Sequence, residues 1–351
     1  MSWYPDIPQR TIYNQLPKVD LHRHLEGSVR LATMMEIAKL HSISLPLRPD
    51  LRSLVAMQPD DALNASTFLS KFQFLRMFYR SPEVIARITA EAIEDAALDG
   101  VQYLDLHFTP VALSRHQGFL LSDVMDWVAQ AAAAAAARHG IYSRLIASIN
   151  RHESIQLAEQ VARLAAERQH MGIVGLDLAG NEADFPGEPF VGLFREARSA
   201  GLRITIHAGE WSGAENVRVA LEDFQADRVV HGVRVMEDPA VVALARERGV
   251  PFEVCLTSNL QTGVIPALRD HPLMTMLLAG LNVTINTDDP SISQICLSDE
   301  YWAVCEGLGL PYPVLAERIF AAGDAAFLLP HEREDLMERL QRGLAPVATA
   351  D

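Results

Sequence analysis

Cysteine is scarce: the 351 residues hold three, Cys255, Cys296 and Cys305. Three cannot build a disulfide framework, and their spacing is not that of a metal knuckle. The core must be held by packing, and a reducing compartment, the cytoplasm, is the expected home. Long apolar runs are missing as well. The longest near-apolar stretch, Pro272 to Ile285, contains Thr and Asn and falls short of the roughly 18–20 residues that cross a bilayer. Met1 to Arg10 lacks the basic head and apolar core of a secretory signal. Basic residues are outnumbered, 30 against 45 acidic ones, for a formal charge of −15. Nucleic-acid affinity rests largely on neutralising phosphates, so this balance argues against DNA, RNA or an anionic membrane as partner. It suits a small-molecule substrate that is neutral or cationic. No GxGxxG in a strand-to-helix context, no Walker loop and no GxSxG elbow occurs. Dinucleotide binding, P-loop phosphoryl transfer and serine-hydrolase chemistry therefore lack their usual signatures.

What is present is a rhythm. Eight β-rich runs, Val19–Glu26, Val101–Thr109, Tyr142–Asn150, Ile173–Gly180, Arg203–Ala208, Arg228–Gly232, Phe252–Thr257 and Asn282–Thr287, alternate with helical patterns such as Pro82–Leu98, Asp123–Arg138, Glu153–Arg168 and Asp238–Arg248. Such alternation builds a parallel sheet covered by helices, and eight units predict a closed α/β architecture, the (β/α)8 TIM barrel. Residues 1–351 read as one domain, since splitting the chain would split the site described next. The first interval is much longer than the others, so 27–98 is expected to carry a helical insertion. Within it Phe68, Phe72, Leu75 and Tyr79 recur at helical spacing, as a core-facing helix or as a lid that also roofs a pocket. The run Ala131–Ala137 predicts a tightly packed outer helix. Residues 301–351 predict a C-terminal helical extension with a fraying end.

Several strand ends carry chemistry. His22 and His24 are two apart on the first strand, so both imidazoles share a face and Arg23 points the other way. The fifth run leads through His207 to Glu210, the sixth ends at His231-Gly232, and the eighth leads into Asp288-Asp289-Pro290. In a barrel these ends converge on one rim. Nitrogens from His22, His24 and His207 with an oxygen from Asp288 suit one zinc ion that keeps an open position for water. Such an ion lowers the water's pKa to roughly 7. His231 is left to take the water's proton and orient it, with Asp288 sharing the work. Glu210 is placed to give a proton to the substrate, and Asp289 to fix a substrate ring by hydrogen bond. Gly180, ending the fourth strand, suggests close backbone approach to a ligand, while Asp177 reads as structural. Thr257-Ser258-Asn259 is polar at the rim, able to close the pocket or support the site, and has no assigned chemistry.

Six segments, Leu21–Gly27, Asp177–Glu182, His207–Glu210, His231-Gly232, Thr257–Thr262 and Asn286–Pro290, occur in the order of the adenosine deaminase family of metal-dependent amidohydrolase barrels. The chain resembles that family from Pro17 to Pro290. The resemblance implies hydrolysis of the 6-amino group of an adenine-containing substrate, with one zinc on His22, His24, His207 and Asp288. It implies that Glu210 serves purine N1, His231 the water, Asp289 N7 and the Gly180 amide N3, with His24 and Glu26 also at the substrate. Catalysis would rest on Glu210, His231 and Asp288. Glu26 departs from the pattern: adenosine deaminases usually carry Asp there, reaching the ribose, whereas Glu is more familiar in adenine and aminofutalosine-type deaminases. Asn286-Thr287, Gln261-Thr262-Gly263 and the insertion are similar to the adenosine enzymes. The implied reaction takes adenosine or 2′-deoxyadenosine to inosine or deoxyinosine and ammonia. An aminofutalosine-type nucleoside or free adenine is the alternative substrate, followed by another amidohydrolase reaction on an amide or ester.

Overall fold

The computed structural model of the chain describes residues 10–46 and 50–345. Each β-rich run forms a strand: β1 (Lys18–His24), β2 (Val101–Phe108), β3 (Tyr142–Asn150), β4 (Ile173–Ala179), β5 (Arg203–Ala208), β6 (Arg228–His231), β7 (Pro251–Val254) and β8 (Asn282–Ile285). They pair in parallel, each with its neighbour in sequence. Several strands stop short of the expected rim positions, and β7 departs most. Beyond Val254 the chain leaves the ladder for a helix, Leu256–Gln261, whose first amides at Leu256 and Thr257 are taken by the Glu300 carboxylate. Thr257 therefore sits on a helix and not at a strand end.

The barrel closes between β8 and β1 through residues of the site itself. Arg23 pairs in parallel with Asp288. The His24 amide reaches the Asp288 carbonyl at 2.8 Å, and the Asp288 amide reaches the His22 carbonyl at 2.9 Å. Lower in the seam the Asn286 side chain takes a backbone's place, accepting from the Leu21 amide at 2.8 Å. Inside the barrel a charged belt lies beneath the rim: Arg228 stands 2.8 Å from Asp105 and 2.6 Å from Glu253, all fully buried. A buried cation with two carboxylate partners avoids the penalty of an unpaired charge.

The outer layer starts at well-capped helices. Ser81 accepts from the Val84 amide at 3.3 Å and Pro82 occupies the first turn of Pro82–Leu98, the arrangement that satisfies orphan amides and fixes φ. That helix covers β2 and packs against Leu121–His139, whose Ala132, Ala135 and Ala136 are buried. The alanine run is thus the close-packed outer helix expected. The rest of the long first interval holds the insertion helices Leu31–Leu40, Asp50–Val55 and Ala65–Leu75. At the other end Tyr312–Ala325 packs on β8 and β1, and Pro330–Leu344 on Tyr312–Ala325 and β2. The first nine residues and the tail after Ala345, where the absent signal and the frayed end were expected, lie outside the described residues.

Candidate metal and active site

His22 and His24 leave β1 on one face, their ring centroids 4.7 Å apart. Arg23 turns away and bonds Asp20 at 3.0 Å. The His207 ring lies 4.9 Å from His22 and 5.5 Å from His24. Asp288 reaches in from the β8 seam: its Oδ1 is 3.4 Å from His22 Nε2 and 3.5 Å from His24 Nε2. Donor atoms about 2.1 Å from a tetrahedral ion sit about 3.4 Å from one another, so this spacing fits a metal. The His22 Nε2 is buried and has no hydrogen-bond partner, as a metal-directed nitrogen requires. His207 Nδ1 is tied to Asp177 Oδ1 at 3.0 Å, which leaves Nε2 for the centre. Burial opposes charge on His22, yet Asp288 and Glu253 outweigh it and hold its pKa up at about 10. Two carboxylates, Asp288 at 3.4 Å and Glu253 at 3.2 Å, surround this imidazole with negative charge that favours a cation. Cys255 is also within reach of His231 and Asp288, but burial keeps its thiol protonated, well above the usual range. The cluster of histidines and carboxylates is compatible with a single zinc-binding pocket.

An open-mouthed cavity stands over this cluster. His24, Glu26, Gly180, His207, Glu210, His231, Asp288 and Asp289 all line it; His22 is fully buried and absent from its walls. Phe68, Leu69 and Phe72 form part of the wall, while Phe68 and Leu75 are also buried in the core. The insertion helix therefore serves both as core and as roof. Gly180 has φ of +95° and Gly27 has no room for a side chain, because a Cβ there would lie 1.8 Å from Asp289 Oδ1. His231 and Asp288 adopt φ of +57° and +66°, a region that non-glycine residues occupy chiefly where surrounding structure enforces it.

A family model described as Adenosine deaminase matches residues 17–342. The chain belongs to the adenosine deaminase family. It is 37% identical to an adenosine deaminase of Erwinia tasmaniensis, over 94% of this chain and 99% of that one. Among solved structures it superposes on an adenine deaminase from Arthrobacter aurescens with a TM-score of 0.87 at 28% identity, covering 94% and 99% of the two chains. It superposes equally, at 0.87 and 26% identity over 99% and 97%, on a zinc-bound amidohydrolase from Burkholderia ambifaria.

Within this family frame the electrostatics separate the polar groups. Burial, with Asp288 and Glu182 nearby, pushes the Glu210 carboxyl well above its ordinary range. Burial and the neighbouring Asp288 do the same to Asp289. Asp288 itself goes the other way: burial would raise it, but the His22 imidazole 3.4 Å away outweighs burial and holds the carboxyl ionised, well below its ordinary range. Burial pushes His231 down to about 3, against the pull of Asp288. His231 Nε2 faces Glu210 at 3.6 Å and Asp288 at 3.9 Å.

Five supporting residues were not assigned roles from the sequence. Asp177, read as structural, orients His207 and also bonds Ser148 and Thr205. Glu253 stands 3.2 Å from His22 Nδ1 and links it to the Arg228 belt; a charge within the apolar run of β7 was its only signal. Glu182 accepts from the amides of Gly209, Glu210, Trp211 and Ser212 and from the Asn216 side chain, at 2.6–3.0 Å. It thereby fixes the turn that presents Glu210. The Leu273 amide donates to His271 Nδ1 at 3.0 Å, so His271 Nε2 donates to Asn259 Oδ1 at 3.2 Å. The Asn259 amide group then donates to His231 Nδ1 at 3.3 Å, which puts the proton of neutral His231 on Nε2. Its site-facing nitrogen is therefore a donor that can orient a water and not, as the sequence suggested, the acceptor of the water's proton.

Proposed function

We propose that this chain is a zinc-dependent deaminase of adenine nucleosides, converting adenosine and 2′-deoxyadenosine to inosine and deoxyinosine with release of ammonia. The observation that carries the reading is Glu210, a buried carboxyl held protonated beside a metal-type cluster of His22, His24, His207 and Asp288. One zinc per chain, held by those four residues, would supply the Lewis acidity that makes water a nucleophile at neutral pH. Glu210 gives its proton to purine N1, which draws electrons from C6 and readies it for attack. His231, with its proton on Nε2, holds the attacking oxygen as a hydrogen-bond donor, and ionised Asp288 accepts the proton the water releases. Asp289, kept protonated, donates to N7, an acceptor, and the Gly180 amide donates to N3. Water adds to C6; the amino group takes up the proton that Asp288 received and leaves as ammonia as the C6–N bond breaks. The C6 hydroxyl proton passes back to Glu210, leaving the 6-oxo product.

Glu26, although it replaces the Asp usual in adenosine deaminases, lines the cavity with one oxygen unengaged, which fits a sugar hydroxyl. Its Oε1 accepts from the Thr109 amide at 2.6 Å, while its Oε2 is buried without a partner and is available to a sugar hydroxyl. The activity is proposed for one domain spanning the chain, with 27–98 as insertion and lid and 301–351 as extension, working in the cytoplasm. Zinc-loaded protein should consume the adenine absorbance band of adenosine and 2′-deoxyadenosine and release ammonia, with adenine slower. Glu210→Gln should keep its zinc and lose turnover by about 100-fold or more. Absence of deamination of any adenine compound by protein carrying zinc contradicts the reading.

A further inference from the structure

The wall that carries Phe68 and Phe72 ends in a charge. Arg76 follows at the same four-residue spacing, so it continues the roof face of the insertion helix into the next turn, and it lines the cavity. It is half-buried, and its Nε is buried without a hydrogen-bond partner. Among the described residues no carboxylate lies within 4 Å of its guanidinium, whereas the half-buried Arg30, Arg144, Arg168 and Arg198 each hold one. Glu26 and Glu153 feel its charge, but Glu26 turns one oxygen to the Thr109 amide and Glu153 pairs with Arg115 at 3.6 Å. A guanidinium withdrawn from bulk water and left without a counter-charge is costly unless a ligand completes it.

The position of Arg76 says which part of a ligand it would meet. The metal-type cluster and Glu210 sit at the buried end of the cavity and take the purine amine; Glu26, two residues beyond His24, stands at the sugar end, and Arg76 acts on Glu26. We propose that Arg76 is a specificity-determining residue that recognises an anionic group, a phosphate or a carboxylate, carried on the sugar of the nucleoside. The proposal rests on the deaminase reading above and extends it: beside the neutral nucleoside, the cavity accepts an adenine nucleoside bearing a negative charge at its sugar end.

The test compares kcat/KM for adenosine, adenosine 5′-monophosphate and adenosine 5′-carboxylate in the zinc-loaded wild type, Arg76→Ala and Arg76→Glu. At least one anionic nucleoside should be a substrate, and which of the two is better identifies the anion. Its kcat/KM relative to adenosine should fall roughly 10- to 100-fold in Arg76→Ala, the range a charge-assisted hydrogen bond commands, and further in Arg76→Glu. The wild-type preference should also shrink as salt is raised. Turnover of adenosine with neither anion accepted, or a ratio unmoved by Arg76→Glu, overturns the proposal and leaves the deaminase reading standing. If no adenine compound is turned over, the deaminase reading falls instead. Calorimetric titration with adenosine 5′-monophosphate then still decides the site, since binding lost in Arg76→Glu supports it and binding equal in both proteins overturns it.

Discussion

Which nitrogen of His231 carries its proton is decided by a backbone amide on a different element. The Leu273 amide can only donate, so each partner along His271, Asn259 and His231 is forced into one orientation. The end of that chain is an imidazole that offers a donor to the site, which fits a role in holding the attacking oxygen. His271 is buried, with its pKa pushed down to about 3 by burial, so it stays neutral across the working range. Replacing His271 with Leu leaves the Asn259 amide free to turn over and releases the tautomer. We expect kcat to fall about 10- to 100-fold, the usual effect of disturbing an outer partner of a metal site, with zinc content unchanged. Steady-state kinetics beside metal analysis checks this; full activity in the variant contradicts it. His271 and Asn259 were not legible in the sequence as a relay, because nothing in local spacing announces a contact made through folding. His22, His24, His207 and Asp288 were legible, because strand alternation and barrel convergence are rules of short range and of topology.

At the scale of elements, the sequence located every strand but not every strand end. β7 stops early because Glu300, on the distant helix Leu297–Trp302, takes the amides that would otherwise have continued the ladder. A long-range cap of this kind leaves no periodic trace. It does leave a titration. Burial, partly offset by the hydrogen bonds from Thr257 and Leu256, raises the Glu300 carboxyl from 4.5 to about 7. Between those values the folded chain keeps a proton that the unfolded chain has released, so stability is greatest at low pH in this window and falls as pH rises through it. Urea unfolding at pH 5 and pH 8 should show wild type losing on the order of 1–3 kcal/mol more than Glu300→Gln, which retains the acceptor oxygen but cannot ionise. Equal losses in the two proteins would remove Glu300 from the account. The insertion helix taught a different lesson. Its apolar stripe at Phe68, Phe72 and Leu75 was visible, but a stripe alone does not say whether it faces a core or a cavity; here the same face does both.

For the whole molecule, the seam that closes the barrel and the site that would hold the metal are the same residues. Asp288 bridges β8 to β1 through its backbone and meets His22 and His24 through its side chain. The charged belt of Arg228, Asp105 and Glu253 then ties the underside of His22 into the interior. Among the described residues no helix is long and apolar enough to cross a membrane, in keeping with the short apolar runs of the sequence. The three cysteines are free, and the side chains that meet at the seam, His22, His24, His207 and Asp288, offer nitrogen and oxygen donors. The central claim is that one zinc on these residues enables an adenine nucleoside to lose its amino group. It is tested most directly by stripping the protein with a chelator and adding zinc back while following adenosine deamination. The account predicts activity that is absent without metal, rises in proportion to zinc and levels off at one ion per chain. Deamination indifferent to the chelator, or none at one zinc per chain, would contradict it.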